Sequence, residues 1–246
     1  MKYQAPALLR GLKILEVLAK SKEPLSLQEL GTKLGLKPSN IFRMVYVLEE
    51  EFYIQKEKFD KYALSPKLFS LGVQALNSYS LLDLVYPILK EISKKTNQSC
   101  HFSVKTNNSM LVLAKADSPS ILGFSIRPGY TRLLEKSSSG KVILAFLDSD
   151  EKEKLFDKFD LEYDEVFIKK LKSDLELVEK QGFRISASQY VEGIKDITVP
   201  ILPSLKHNPP SAICIPYVNT KENTSTEEEA LKILLKSSEK LSKMIF

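Results

Sequence analysis

The 246-residue chain has no long apolar run. Its longest, Val142 to Leu147, is far below the roughly 20 residues that span a bilayer. No amino-terminal stretch has the parts of a secretory signal, so no membrane partner is expected. Without such a signal, Asn97-Gln98-Ser99, Asn107-Asn108-Ser109 and Asn223-Thr224-Ser225 read as turns rather than glycosylation sites. Cysteine is scarce: Cys100 and Cys214 have no Cys-x-x-Cys spacing, which argues against a disulfide framework and for a reduced, cytoplasmic protein with two small buried thiols. Histidine is equally scarce, and His101 and His207 share no close metal-ligand spacing with those cysteines. No metal and no cofactor is expected. Low-complexity tracts and internal repeats are also missing.

What is present is unevenly distributed. The hydrophobic share of 43% is ordinary for a globular protein, and the length allows one large or two modest domains. Residues 1–75 hold 12 Lys/Arg against 8 Asp/Glu, so they carry +4 of the chain's net +5. A basic excess confined to one end suits a module that binds phosphates.

Within that basic third, Ser26 to Leu48 organises the chain. Ser26 followed by Glu29 is a capping-box pair. Leu27, Leu30 and Leu34 recur at helical spacing, Gly35 ends that helix, and Pro38 suits the first turn of the next. Two short helices around a tight break predict a helix-turn-helix, whose second helix enters the DNA major groove. At 100° per residue, Ile41, Val45 and Leu48 share one face with Met44 at its border. The other face carries Ser39, Arg43 and Tyr46, flanked by Asn40 and Phe42. Arginine reads guanine edges, asparagine pairs with adenine and serine bonds bases or phosphates. An ordinary solvated polar face is the bland alternative. Ser26, Lys37, Ser39, Asn40, Phe42, Arg43 and Tyr46 are the candidate DNA contacts.

Around this core, Ala5 to Ala19 predicts a helix before it. Phe52 to Gln55 and Tyr62 to Leu64 predict a hairpin after it, a wing whose Lys56, Lys58 and Lys61 reach backbone phosphates. Lys67 to Leu76 predicts a linker helix, followed by a break at Asn77-Ser78-Tyr79-Ser80. From Leu81 the pattern changes. Helices are predicted over Leu81 to Lys95, Ser138 to Leu147, Ser149 to Phe159 and Lys170 to Lys180, with a last one from Thr226 toward Ile245. Strands are predicted at Cys100 to Lys105, Met110 to Ala114, Ile121 to Ile126, Phe183 to Ser186, Asp196 to Ile201 and Ala212 to Val218. This irregular alternation predicts an α+β domain with an antiparallel sheet.

Several short segments, in order along the whole chain, resemble the IclR family of transcriptional regulators. They are Ala5-Pro6-Ala7-Leu8 with Arg10-Gly11-Leu12; Leu34-Gly35-Leu36 through Ser39, Arg43 and Leu48-Glu49-Glu50; Tyr62 to Ser65 with Lys67-Leu68 and Leu71-Gly72; Gly140-Lys141 with Leu144-Ala145; and Tyr190 with Glu192-Gly193-Ile194 and Pro200-Ile201. The resemblance implies a winged helix-turn-helix over 1–65, a linker helix over 66–80 and a GAF-like effector-binding domain over 81–246. It further implies a homodimer or homotetramer on a palindromic operator, and a small effector such as an organic or sugar acid. Family members hold that ligand against the start of the helix that begins here at Ser138, Ser139 and Gly140, where free amides and the helix dipole favour an anion. The remaining implied contacts are Ser186, Asp196, Cys214 and Pro216. Here the chain departs from the family pattern: Asp196 stands where cysteine is more usual, Ser186 where an acid is frequent, and Cys214 and Pro216 where hydroxyl residues often sit. A carboxylate in the pocket repels a simple monoanion and accepts from hydroxyls or an amine, so the departure predicts a polyhydroxylated or amphoteric ligand.

One other reading of the ligand site and two other functions compete. A nucleotide P-loop at Ser139-Gly140-Lys141 fails, because Glu135 occupies its first glycine position and Val142 its magnesium-binding Ser/Thr. An enzyme could enlist Ser137 to Lys141 with His101 and Asp196, but the spacing offers no nucleophile elbow, and His101 reads as a core or pocket-lining residue. A protein-only interaction module would show no salt-dependent DNA binding. The expected function is therefore a ligand-responsive DNA-binding transcriptional regulator, not an enzyme, and the resemblance favours a repressor while the sequence leaves repression or activation open.

Overall fold

The computed structural model describes residues 5–77, 81–121, 123–188, 191–202, 210–220 and 224–244. Tyr190, His207 and the Ser78-Tyr79-Ser80 break lie outside them. The chain divides into two compact units, Met1–Tyr79 and Ser80–Phe246.

In the first unit, α1 (Pro6–Lys20), β1 (Leu25–Ser26), α2 (Leu27–Leu34) and α3 (Pro38–Glu50) precede β2 (Ile54–Glu57), β3 (Lys61–Leu64) and α4 (Pro66–Asn77). The capping box forms: the Glu29 amide donates to Ser26 Oγ at 3.2 Å, and the Ser26 amide donates to the Glu29 carboxylate at 2.7 Å. Gly35 ends α2 at φ +65° with open space where a Cβ would stand, so backbone conformation alone demands glycine there. Ile14, Leu18, Leu30, Ile41, Val45 and Ile54 close one small core. The antiparallel hairpin β2–β3 runs from Ile54↔Leu64 to Glu57↔Lys61. β1 adds a third strand against β3, too short for a two-residue period to reveal it. The wing strand starts later than predicted. Phe52, at φ 58°, and Tyr53 belong to the turn leaving α3, because the Phe52 and Tyr53 amides still donate to the helix carbonyls of Glu49 and Leu48.

The second unit runs α5 (Leu81–Thr96), β4 (Cys100–Thr106), β5 (Ser109–Ala116), β6 (Thr131–Leu133), α6 (Ser138–Ala145), α7 (Ser149–Glu162), α8 (Glu165–Gln181), β7 (Arg184–Ala187), β8 (Ile194–Ile201), β9 (Ser211–Val218) and α9 (Glu227–Met244). The strands form one antiparallel sheet ordered β6-β5-β4-β9-β8-β7. Of the predicted strand at Ile121 to Ile126, Ile121 and residues 123–126 are irregular instead, and Leu122 lies outside the described residues. Ser118 is tied off by its amide to Ser99 Oγ and its hydroxyl to the Asn97 carbonyl. The sheet edge is taken by β6, with the Val112 amide donating to Tyr130.

Strand alternation divides the interior. Ile197, Val199, Ile201, Ile213 and Ile215 face α5 and α9. Asp196 and Thr198, and Ala212 and Cys214, point to the opposite face, where α6 packs with α7 and α8 through Val142, Ile143, Leu155, Phe159 and Leu171. The register shift between Phe102 and Ser103 is a bulge that leaves Ala114 on the first face and Val112 on the second. The polar residues of the second face are therefore the ones that meet the start of α6.

Candidate functional site

On the first unit the candidate contacts share an outward face. Lys37, Ser39, Asn40, Phe42, Arg43 and Tyr46 are exposed, with Phe42 and Tyr46 at 53% and 52%. Ile41 and Val45 are fully inside. Three candidates are engaged locally. Ser26 caps α2 as described, the Tyr46 hydroxyl donates to Glu50 at 2.9 Å, and Lys56 pairs with Asp60 at 2.8 Å. Lys61, in β3, lies 3.7 Å from Glu29. Lys58 and Arg43 have no ion-pair partner among the described residues.

On the second unit, a cavity lies between the sheet and the amino terminus of α6. His101, Met110, Ile126, Lys136, Ser137, Ser138, Ser139, Lys141, Arg184, Ser186, Ala187, Asp196 and Cys214 line it, around a space of about 20 Å³. That holds about one water. Ser137 caps α6, accepting from the Gly140 amide at 3.0 Å. A Cβ on Gly140 would meet the Leu134 carbonyl oxygen at 2.3 Å and Ser137 Oγ at 2.5 Å. Glycine there lets the helix start press against the preceding turn. Ser138 Oγ and Thr198 Oγ1 are hydrogen-bonded at 2.8 Å. Arg184 donates to Ser138 Oγ at 3.4 Å and to Ser186 Oγ, and pairs with Asp174 at 3.4 Å. Asp174 also takes Lys141 at 2.8 Å; burial works against its charge, but Lys141 and Arg184 hold its carboxyl below the usual range.

Burial pushes Asp196 up to about 6, against the pull of Arg184 and Arg132. Burial likewise drives His101 down to about 4 and Cys214 well above the ordinary thiol range. His101 Nδ1 and Ser103 Oγ are buried with no hydrogen-bond partner among the described residues. A neutral imidazole without a serine partner, beside an inert thiol, makes no nucleophile–base pair. The set instead offers cations, hydroxyls and one high-pKa carboxyl to a small polar molecule.

Five of the seven candidate effector residues line this cavity: Ser138, Ser139, Ser186, Asp196 and Cys214. Gly140 is buried against Leu134 and does not line it. Pro216 stands opposite Asp196 in the β8–β9 register but is not part of the lining. Sequence reasoning missed Arg184, Lys136 and Lys141 as lining cations. Alternation carried a signal for the first, since Arg184 sits two residues from Ser186 on one strand face.

The chain matches two family models: the IclR helix-turn-helix domain over residues 7–58 and the bacterial transcriptional regulator IclR carboxy-terminal domain over residues 73–243. It is 27% identical over 193 residues to the HTH-type transcriptional regulator KdgR of Dickeya chrysanthemi, a match covering 76% of this chain and 63% of that protein, just under two thirds of its length. It is 25% identical over 199 residues to the transcriptional repressor IclR of Escherichia coli K12, covering 78% and 73% of the two chains. The crystal structure of Thermotoga maritima IclR superposes with a TM-score of 0.67 at 25% identity, over 97% of this chain and 98% of that one. With an amino-terminal helix-turn-helix and a carboxy-terminal α+β unit each matching its own model, the chain belongs to the IclR family of bacterial transcriptional regulators.

Proposed function

We propose that the chain is a ligand-responsive repressor. Residues 1–65 bind a palindromic operator, a linker helix over 66–80 follows, and residues 81–246 sense a small metabolite; the working unit is a dimer or a dimer of dimers. The division of the chain at Tyr79 and Ser80 supports the start of the sensing part near residue 81, and a relative named as a repressor supports the sign of the response. Lys37, Ser39, Asn40, Phe42 and Arg43 form the reading surface, with Lys58 on a backbone phosphate.

The observation that carries the sensing half is the presence of Arg184 and Asp196 in one cavity lining. Arg184, held by Asp174, Ser138 and Ser186, offers its charge to a carboxylate that takes the place of the serine hydroxyls. Asp196 accepts from a hydroxyl or an amine, and Ser137, Ser138 and Ser139 add donors at the positive end of α6. A hydroxy acid or sugar acid meets both ends, whereas a simple monocarboxylate leaves Asp196 without a donor. A ligand held there can change operator affinity by no more than its difference in affinity for the two states of the protein.

Calorimetric titration of hydroxy acids, sugar acids, aromatic acids and simple monocarboxylates into the full-length protein tests this reading. Hydroxy or sugar acids bind, Arg184→Ala abolishes the heat, and Asp196→Asn moves preference toward simple acids. Unchanged preference in Asp196→Asn sinks the assignment of the ligand class. An operator affinity indifferent to bound ligand sinks the switch.

A further inference from the structure

The tip of the wing carries an aromatic ring where hairpin geometry favours glycine or asparagine. Phe59 is 89% exposed and sits at φ 61°, ψ 37°, a left-handed conformation that bulky residues adopt at a cost. Asp60 follows at φ 54°. The ring takes no part in the core of the first unit. The loop is held in this shape from both sides: Lys56 Nζ meets Asp60 at 2.8 Å, and the ladder closes directly beneath it at Glu57↔Lys61. A strained, exposed aromatic on a braced loop asks for a use, because strain of this kind persists where the surroundings impose it.

The chemistry around the ring selects the partner. Asp60 is neutralised by Lys56, which leaves Lys58 as the exposed cation beside the ring. The hairpin directly follows α3, whose outward face holds Ser39, Asn40 and Arg43. We propose that Phe59 is a wedge. It enters the minor groove beside the segment read by α3 and partly unstacks one base step, while Lys58 holds the adjoining phosphate. Flat apolar side chains kink duplexes in this way, and the deformation is least costly at flexible pyrimidine–purine steps. The wedge thus adds sequence preference at a position where no base edge is contacted. This inference rests on the operator-binding reading above.

The test uses the full-length protein and a duplex that it selects from a random-sequence pool of 40-base-pair DNA. Affinity is read by anisotropy, bending by energy transfer between dyes on the duplex ends, and unstacking by 2-aminopurine placed at steps flanking the selected core. For Phe59→Ala, affinity falls about tenfold, the bend relaxes and the 2-aminopurine signal is lost, while Phe59→Leu retains most of all three. Phe59→Gly relieves the backbone and raises the melting temperature, yet loses affinity like alanine, which separates the ring from the strain. Phe59→Ala that binds and bends like wild type overturns the wedge. So does a change in sedimentation mass of Phe59→Ala without DNA, which would place the ring against a second copy of the chain. Failure of the wild-type protein to select any duplex overturns the operator-binding reading itself and is distinct from both.

Discussion

The two units hold their candidate chemistry on opposite sides of their cores. In the first, the residues that would meet DNA lie mostly outside, on α3, the turn before it and the wing hairpin after it, and Ile41 and Val45 anchor the helix from behind. In the second, the lining residues lie inside and come from five strands, the start of α6 and the segments before it, between His101 and Cys214. An outward face needs only helical periodicity, and its side chains owe nothing to packing. An inward site needs strand register, and each polar group there is also a stability problem. Substitutions should therefore separate binding from stability in the first unit and fuse them in the second.

The largest expected effect compares one residue type in the two units. Gly140→Ala forces a Cβ to within 2.3 Å of the Leu134 carbonyl oxygen, a backbone atom that cannot rotate away. A loss of about 3 kcal/mol or more is expected in denaturant unfolding, with the cavity distorted as well. Gly35→Ala has open space and pays only for φ +65°, about 1 kcal/mol. Equal losses would mean that conformation, not packing, sets the cost in both places.

Arg43→Ala tests the opposite behaviour. Its guanidinium is exposed with no ion-pair partner among the described residues. Operator affinity should fall about 10- to 100-fold, the equivalent of roughly 1–3 kcal/mol for a lost bidentate base contact, with sequence preference relaxed at one position. Unfolding free energy should stay within about 0.5 kcal/mol of wild type. A melting temperature that drops alongside affinity would break the separation.

Asp196→Asn carries the comparison into pH. Burial raises this carboxyl from 3.8 to about 6, so the folded protein holds a proton that the unfolded chain releases first. Ionising Asp196 then costs stability as pH climbs between those two values, and the full penalty stands above pH 6. Removing the charge should stabilise the protein by about 1–2 kcal/mol at pH 8, after discounting the part of the carboxylate that water still screens. The gain should vanish by about pH 4. Urea titrations of both proteins at pH 4, 6 and 8 measure it. Equal stabilities at pH 8 would mean that Arg184 and Arg132 fully offset the burial.

The same contrast explains what could be read in advance. Leu27, Leu30 and Leu34, then Gly35 and Pro38, announce two helices and their break, because caps and periodicity are local. The order β6-β5-β4-β9-β8-β7 has no local signature. Nothing in the chain from Arg184 to Cys214 says that Thr198 meets Ser138 across 60 residues. The serines, Asp196 and Cys214 were reached through family resemblance, and Arg184 was passed over because a lone arginine on a short strand looks like a solvated one. The false strand at Ile121 to Ile126 has the right residue types. The observed edge is β6, and the bonds that accompany it, from Ser118 to Ser99 and Asn97 and from Val112 to Tyr130, join residues distant in sequence and leave no local signal.

Ser26 is the smallest test and the sharpest for the first unit, because the sequence gives it two tasks, helix cap and DNA contact, and the structure shows the cap. As a DNA contact it would lie free to meet a phosphate. Instead its hydroxyl accepts from the Glu29 amide and its own amide donates to Glu29, an interaction that holds the Glu29 carboxylate below its usual range, chiefly through that backbone bond. Ser26→Ala should cost about 1 kcal/mol of stability. Ser26→Asp, which keeps the cap and adds a negative charge, should restore it. If the hydroxyl serves only the cap, operator affinity of folded Ser26→Ala should match wild type, and its dependence on salt should keep the same slope. A slope reduced by about one, as for a lost phosphate contact, would show that the residue caps the helix and touches DNA through the same oxygen, and the division between outward chemistry and inward packing would fail at that residue.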